Sequence, residues 1–345
     1  MMGHMKHYAC PHCLTTKEVI AYGRRQQRLR YLCKHCGHTF TVNPCSPPTK
    51  QMMNDHLDGL SFRKLAVKYD CSPMTAWRIC ESELKKLPDN NQLTFNYCNQ
   101  FSKILECDGK YVNVVQGDHD WVLLWGIDYF KHDIPIMYVA PSESYQAWSK
   151  YFFYFRILNQ FPQLLLCDYN QNLKLAAKRN FPAVTIQTCT NHFKENIRRN
   201  LKVRSDSTYA DFVKRLTNII GIKLSDQVMR QRLLTLVKDY GADPVAMTEL
   251  VNIQRYWPEL TAYRLIGKAP LTTNMIEGLN SHLEARLFSL RSFQSIQHAK
   301  LWLNGYVLKT RFTTLTDCRG KFRRLNGKKR VELTQKSGID LPSLF

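Results

Sequence analysis

The chain has no apolar run long enough to span a bilayer, no secretory leader pattern, no low-complexity tract and no internal repeat. These absences exclude a transmembrane helix, a solenoid and a compositionally biased disordered chain, and a cytoplasmic protein without membrane partners is expected. Acidic residues are scarce. Only 28 Asp and Glu face 49 Lys and Arg, and a formal charge of +21 spread along the chain points to a polyanionic partner. A disulfide framework is also missing, because most of the twelve cysteines sit singly in apolar segments, as buried reduced thiols do. At 345 residues there is material for a large core and two or three domains.

Four cysteines are not scattered. Cys10-Pro-His-Cys13 is followed, nineteen residues later, by Cys33-Lys-His-Cys36 and Gly37. Two such knuckles can close a tetrahedral thiolate site around one structural Zn²⁺, which a module too small for its own core needs in order to fold. Val19 to Tyr22 and Leu29 to Leu32 read as hairpin strands, so residues 6–43 resemble a zinc ribbon. Arg24, Arg25 and Arg28 at its tip are candidates for phosphate contact, the alternative being a purely structural ribbon.

Asn43 to Pro48, with three prolines in six residues, reads as a linker. Residues 49–90 then carry helical periodicity. Ser61 caps a helix burying Phe62, Leu65, Ala66 and Tyr69, Asp70-Cys71 turns, and Ser72 with Pro73 opens the next. That second helix is expected to bury Trp77, Cys80, Leu84 and Leu87 and to expose Thr75 and Arg78. The pair resembles a helix-turn-helix, whose second helix meets base edges through its early residues, although a plain helical hairpin shares the pattern.

From residue 100 the period changes. Ile104, Glu106 and Asp108 share one face of a strand, Trp121 to Tyr129 and Ile134 to Ala140 form two more, and Tyr145 to Gln160 is an amphipathic helix. Leu164 to Cys167 is a short buried strand ending at Asp168, followed by a helix from Asn172 to Arg179 and a strand from Ala183 to Thr188. Three antiparallel strands, helix, strand, helix, strand, helix is the order of a ribonuclease H-like fold. In it Asp108 and Asp168 lie side by side, as hard-oxygen ligands for Mg²⁺. Residues 201–268 read as an all-α insertion, ended by Tyr256-Trp257-Pro258, and 269–312 as the last part of the core. There Glu277 stands beside the apolar stripe Ile276, Leu279, Leu283 and Leu287. Asn274 and Glu277 could instead form a capping pair, and Glu284 is a rival carboxylate on the same face. Residues 313–345 are a basic tail, and within it Arg319 to Lys336 has eight Lys or Arg against Glu332 alone, the composition of a flexible phosphate-contacting arm.

Asp108, Asp168, the Cys189-Thr-Asn-His192 step, a helical insertion containing Trp257, and Thr273-Asn-Met-Ile-Glu277-Gly-Leu-Asn280 together resemble the core of a Mutator-type DDE transposase of bacterial insertion sequences, over residues 100 to 312. The resemblance implies a multi-domain α/β protein with a ribonuclease H-like catalytic core interrupted by an all-α insertion. It implies Asp108, Asp168 and Glu277 as a catalytic triad holding two Mg²⁺ (or Mn²⁺) ions, and Cys189, His192 and Asn280 as motif residues of open role. Double-stranded DNA, both element ends and target, would be the substrate of a nucleoid-associated homodimer or higher oligomer that cuts and then joins the 3′-OH. The ribbon departs from the family, many of whose members open with helices alone. A DNA-binding regulator with an inactive core, and a metal-dependent nuclease or resolvase of the same fold, are the alternatives.

Overall fold

The computed structural model describes residues 8–25, 28–41, 48–115, 120–267 and 269–345, apart from the side chains of Arg25 and Arg28. The chain divides into two compact units, Met1–Thr49 and Lys50–Phe345. In the first, β1 (Val19–Arg25) pairs antiparallel with β2 (Arg28–Cys33), and β2 pairs with a third strand, β3 (Thr39–Thr41), that the sequence pattern did not reveal. The two knuckles share one geometry. Leu14 N–H donates to Cys10 O at 2.8 Å and Gly37 N–H to Cys33 O at 2.9 Å, with both residues at positive φ. Gly37 adopts that conformation without a Cβ penalty, whereas Leu14 carries it with a side chain. Most of the expected linker, residues 43–47, lies outside the described residues, as do residues 116–119.

The second unit begins with α1 (Thr49–Leu57), α2 (Phe62–Lys68), α3 (Pro73–Leu84) and α4 (Asn90–Tyr97). Ser61 and Ser72 cap α2 and α3 by accepting the N–H groups of Lys64 and Thr75. Trp77 is only half-buried, and Ala76 takes the buried position beside Cys80 and Leu84. The five-stranded sheet follows: β4 (Ile104–Val112), β5 (Trp121–Asp128), β6 (Met137–Ala140), β7 (Leu164–Cys167) and β8 (Thr185–Thr188). Its order is β6-β5-β4-β7-β8, antiparallel across β6-β5-β4 and parallel across β4-β7-β8. Each parallel neighbour is reached through a helical crossover, α5 (Tyr145–Ile157) before β7 and α6 (Gln171–Asn180) before β8. Both helices cover one sheet face through Trp148, Phe152, Leu173 and Ala177 against Leu105, Cys107, Val122 and Leu124. On the other face, α11 (Asn274–Leu290) and α12 (Ile296–Phe312) pack Ile276, Leu283, Trp302 and Leu303 against Leu123, Trp125 and Ile127. This burial on both faces is why β4, β5 and β7 read as near-continuous apolar runs.

Between β8 and α11 stand α7 (Thr190–Asn200), α8 (Ala210–Ile220), α9 (Asp226–Tyr240) and α10 (Pro244–Leu260), which close a separate core around Phe193, Phe212, Leu216, Leu236 and Ile253. Pro258 does not end α10, which runs on to Leu260. It falls in the last turn, so the one helical bond forgone is that to Gln254 O, and the turn still closes through Thr261, whose N–H and Oγ1–H both donate to Trp257 O. Among the described residues no helix is long and apolar enough to cross a membrane.

The expectation of a flexible C-terminal arm is overturned. Residues 313–336 fold back onto the unit: Thr314 bridges Lys329, Cys98 bridges Gln335, and Leu325, Val331 and Thr334 are buried. The anchor is Arg311, fully buried, which donates from Nε and Nη2 to Asp133 at 2.8 Å each and from Nη1 to Asn90 Oδ1 and Thr94 Oγ1. Thr334 donates to the same Asp133 carboxylate. Charge composition suggested a solvated tract, but a few apolar residues and this satisfied ion pair outweigh it. Arg311→Leu strands Asp133 unpaired in the interior, and should lower unfolding stability by about 3–5 kcal/mol in denaturant titration. A loss below about 1 kcal/mol would place the anchor elsewhere.

Candidate active site

β4 and β7 run parallel with Ile104 opposite Leu164 and Glu106 opposite Leu166. Continuing that register sets Asp108, in the middle of β4, opposite Asp168, just past the carboxyl end of the neighbouring β7, the end of the sheet where open α/β folds gather polar chemistry. Asp108 Oδ1 accepts the N–H of Gly109 at 2.8 Å, and its Oδ2 accepts Asn280 Nδ2–H at 2.6 Å. Asn280 is itself oriented by Trp125, whose Nε1–H donates to its Oδ1 at 3.0 Å. Asp168 Oδ1 accepts the N–H of Asn170 at 2.9 Å.

A third carboxylate joins them that sequence reasoning missed. Glu143, just before α5, accepts from Asn170 Nδ2, and a Cβ on residue 109 would collide with its carboxyl group, so Gly109 is what makes room for it. Burial, the charge of Asp168 and that of Glu143 push the Asp108 carboxyl up to about 7, against the lowering contact from Gly109 N–H and the charge of His192. Glu143 is raised by burial and by Asp168, partly offset by Asn170. Among the described residues none of these three carboxylates pairs with a Lys or Arg. Crowded negative charge left uncompensated is what a hard divalent cation with oxygen ligands requires.

Glu277 lies one turn before Asn280 on α11 but is turned to other partners. Its Oε1 accepts Thr273 Oγ1–H at 2.6 Å and lies 3.9 Å from Cys189 Sγ and 3.7 Å from His192 Nδ1. Asp108, Asp168 and Glu277 therefore do not form one tight cluster among the described residues, whereas Cys189, His192 and Glu277 do. Glu277 does not cap α11 either. That task falls to Glu106, fully buried, whose Oε2 accepts the N–H groups of Met275 and Ile276 at 3.2 Å. Burial pushes Glu106 up to about 8 despite those two donors. The rival Glu284 is exposed and paired with Lys110 at 3.0 Å.

Cys189 is the N-cap of α7, and His192 follows on the first turn. Burial raises the Cys189 thiol, but hydrogen bonds from His192 and Thr273 outweigh it and leave it below its ordinary value. The Cys189 partner in turn holds His192 up at about 9.

In the N-terminal unit the four thiols converge. Cys10 Sγ lies 3.6 Å from Cys36 Sγ and Cys13 Sγ 3.5 Å from Cys33 Sγ, and all four stand within 4.8 Å of one another. Tetrahedral zinc thiolates, with Zn–S near 2.3 Å, need sulfurs about 3.8 Å apart, so the cluster fits the ion with small adjustment. Arg24 is exposed, and the Arg25 and Arg28 side chains lie outside the described residues. Arg78 is exposed on α3, while Thr75 is half-buried with its Oγ1 2.9 Å from Ser72 Oγ.

The family model described as "Transposase, Mutator family" matches residues 123–306, more than half of the chain, from β5 through most of α12. It includes Asp168, Cys189, His192 and Glu277; Asp108 lies before it. The transposase for insertion sequence element IS256 in transposon Tn4001 of Staphylococcus aureus is 23% identical over 174 residues, 49% of this chain and 44% of that protein. Its counterpart of the same description in Enterococcus faecalis matches to the same extent, so the chain spans less than half the length of these relatives. Among solved structures, the intasome of simian T-cell lymphotropic virus in complex with PP2A regulatory subunit B56 gamma is similar over 60% of this chain and 68% of that one, at 13% identity and a TM-score of 0.22, too low to carry an argument. On the family match, the chain belongs to the Mutator family of transposases.

Proposed function

We propose that this protein is a DNA transposase that cuts at the ends of its insertion sequence and joins the freed 3′-OH to target DNA. The observation that carries the reading is the side-by-side placement of Asp108, in mid-β4, and Asp168, just after β7, on neighbouring parallel strands of a sheet whose order suits a ribonuclease H-like core interrupted by the α7–α10 helices. Asp108, Asp168 and Glu277 would hold two Mg²⁺ or Mn²⁺ ions, which when bound supply an activated water and stabilise the leaving 3′ oxygen. Gly109 and Asn280 fix the two oxygens of the Asp108 carboxylate, and Asn170 N–H holds Oδ1 of Asp168. Glu277 would turn from Thr273 toward the aspartates when substrate and metal are present. The ribbon, with one Zn²⁺, and the α2–α3 pair, read as a helix-turn-helix through Thr75 and Arg78, would recognise element ends in a dimer or larger assembly.

The test is incubation of the full chain with plasmid DNA bearing the element ends. Cleavage at those ends in Mg²⁺ or Mn²⁺, abolished by chelation, is expected; intact plasmid under both metals would overturn the reading. A pH dependence follows from Asp108. Its folded pKa, about 7, lies above the ordinary 3.8, so between these values the native state binds more protons and loses stability as pH rises. A cation that takes up the ionised carboxylate offsets that loss. The rise in Tm on adding Mg²⁺ should therefore grow from pH 6 to pH 8 in the native chain and stay flat in Asp108→Asn.

A further inference from the structure

Cys189, His192 and Glu277 form a mixed sulfur, nitrogen and oxygen cluster that the Mg²⁺ chemistry does not explain, since a thiolate is a poor ligand for so hard an ion. We propose that these three residues are a binding site for a thiophilic divalent cation, Zn²⁺ being the natural occupant, distinct from the four-cysteine cluster.

The donor set is that of an open zinc site, with three protein ligands and a fourth position left for solvent. Zn–S near 2.3 Å and Zn–N and Zn–O near 2.0–2.1 Å place the ligand atoms of a tetrahedral site about 3.4–3.6 Å apart. The observed 3.9 Å from Cys189 Sγ to Glu277 Oε1 and 3.7 Å from His192 Nδ1 to Glu277 Oε1 exceed that by a few tenths of an ångström. His192 Nδ1 is buried and meets no protein acceptor in hydrogen-bond geometry, its approach to Glu277 being 3.7 Å, so apart from its interaction with the Cys189 thiol this polar atom is committed to the spot without protein satisfaction. A supporting shell exists as well. Thr273 N–H donates to Cys189 Sγ at 3.4 Å and Thr273 Oγ1–H to Glu277 Oε1 at 2.6 Å, so one residue orients two ligands. Cys189 is fully buried, while His192 and Glu277 are 43% and 38% exposed, which leaves the open position facing solvent.

Occupancy has a consequence that rests on the reading of Glu277 as a Mg²⁺ ligand. The thiophilic cation engages that same carboxylate and holds it on the Cys189 side, so micromolar Zn²⁺ should compete with Mg²⁺ for the enzyme. The binding site itself does not depend on that reading.

The test is titration of the full-length, metal-stripped chain with Co²⁺, following thiolate-to-cobalt charge-transfer absorption, which reports sulfur ligation directly. Two equivalents are expected, the four-thiolate one and a second with the weaker absorption of a single thiolate. Cys189→Ser and, independently, His192→Asn should each stop the titration at one equivalent. Asp108→Asn, which removes a ligand of the proposed Mg²⁺ site, should keep both, so that failure of the Mg²⁺ reading and failure of this one are told apart. A native chain that stops at one equivalent, a second equivalent that survives both Cys189→Ser and His192→Asn, or its loss in Asp108→Asn would overturn the proposal.

Discussion

Asp108→Asn and Asp168→Asn should each lower DNA cleavage by about a thousandfold or more while leaving folding and zinc content unchanged. The size follows from the several kcal/mol of charge stabilisation that a metal supplies to a phosphoryl transition state, at about 1.4 kcal/mol per factor of ten. Asparagine keeps the shape of the side chain and can still meet Gly109 or Asn170, but it removes the charge that holds the cation. Asp108 in mid-β4 and Asp168 just after β7 are half-buried in a carboxylate-rich spot, and relief of the repulsion on Asp108 should make Asp108→Asn equal to or more stable than the native chain. The two halves of the result therefore run in opposite directions, which a misfolded variant cannot imitate. Glu277→Gln should share the loss. Glu284→Gln should not, because Glu284 is exposed and engaged with Lys110. Full activity in Glu277→Gln would transfer the third role to another acid, and Glu143 is placed for it by its effect on Asp108.

Removal of zinc should unfold the N-terminal unit. Within it β3 is three residues long, and Leu14, Ile20, Tyr22 and Leu29 are exposed, so little apolar surface is available to drive folding. The four thiols must supply the difference, and structural zinc in such modules contributes on the order of 10 kcal/mol. Chelation, or Cys10→Ser with Cys13→Ser, should erase the amide dispersion of residues 8–41 in NMR spectra while the signals of residues 50–345 persist. A ribbon that keeps its dispersion without metal would show that its sheet suffices alone.

Where local chemistry decided the structure, the sequence was legible. Leu164 to Cys167 formed the strand its apolar run required, the serine caps of α2 and α3 stood where expected, and the register that sets Asp108 against Asp168 follows from the strand order. Where long-range packing decided, it was not. Glu106 alternated correctly onto the Asp108 face, but the backbone it caps lies 169 residues away at Met275, and no local pattern carries that. Nothing local marks Glu143, an acid before a helix; the crossover from β6 through α5 brings it beside Asp108, with Gly109 as the sequence trace of the space it needs. The C-terminal tract misled for the same reason, since its charges are local and its anchor, Asp133 with Arg311, is not. The capping pair suspected at Asn274 and Glu277 had the right spacing, yet a carboxylate from the sheet had already taken the helix end.

Joining separates a transposase from a regulator that only binds and from a nuclease that only cuts. The measurement is strand transfer by the full chain in Mg²⁺, using pre-cleaved element-end DNA with a free, labelled 3′-OH and a supercoiled plasmid as target. The predicted result is covalent linkage of the labelled 3′ end to plasmid, lost in Asp108→Asn and Asp168→Asn. Binding of the ends with no labelled plasmid, in Mg²⁺ or Mn²⁺, would contradict it.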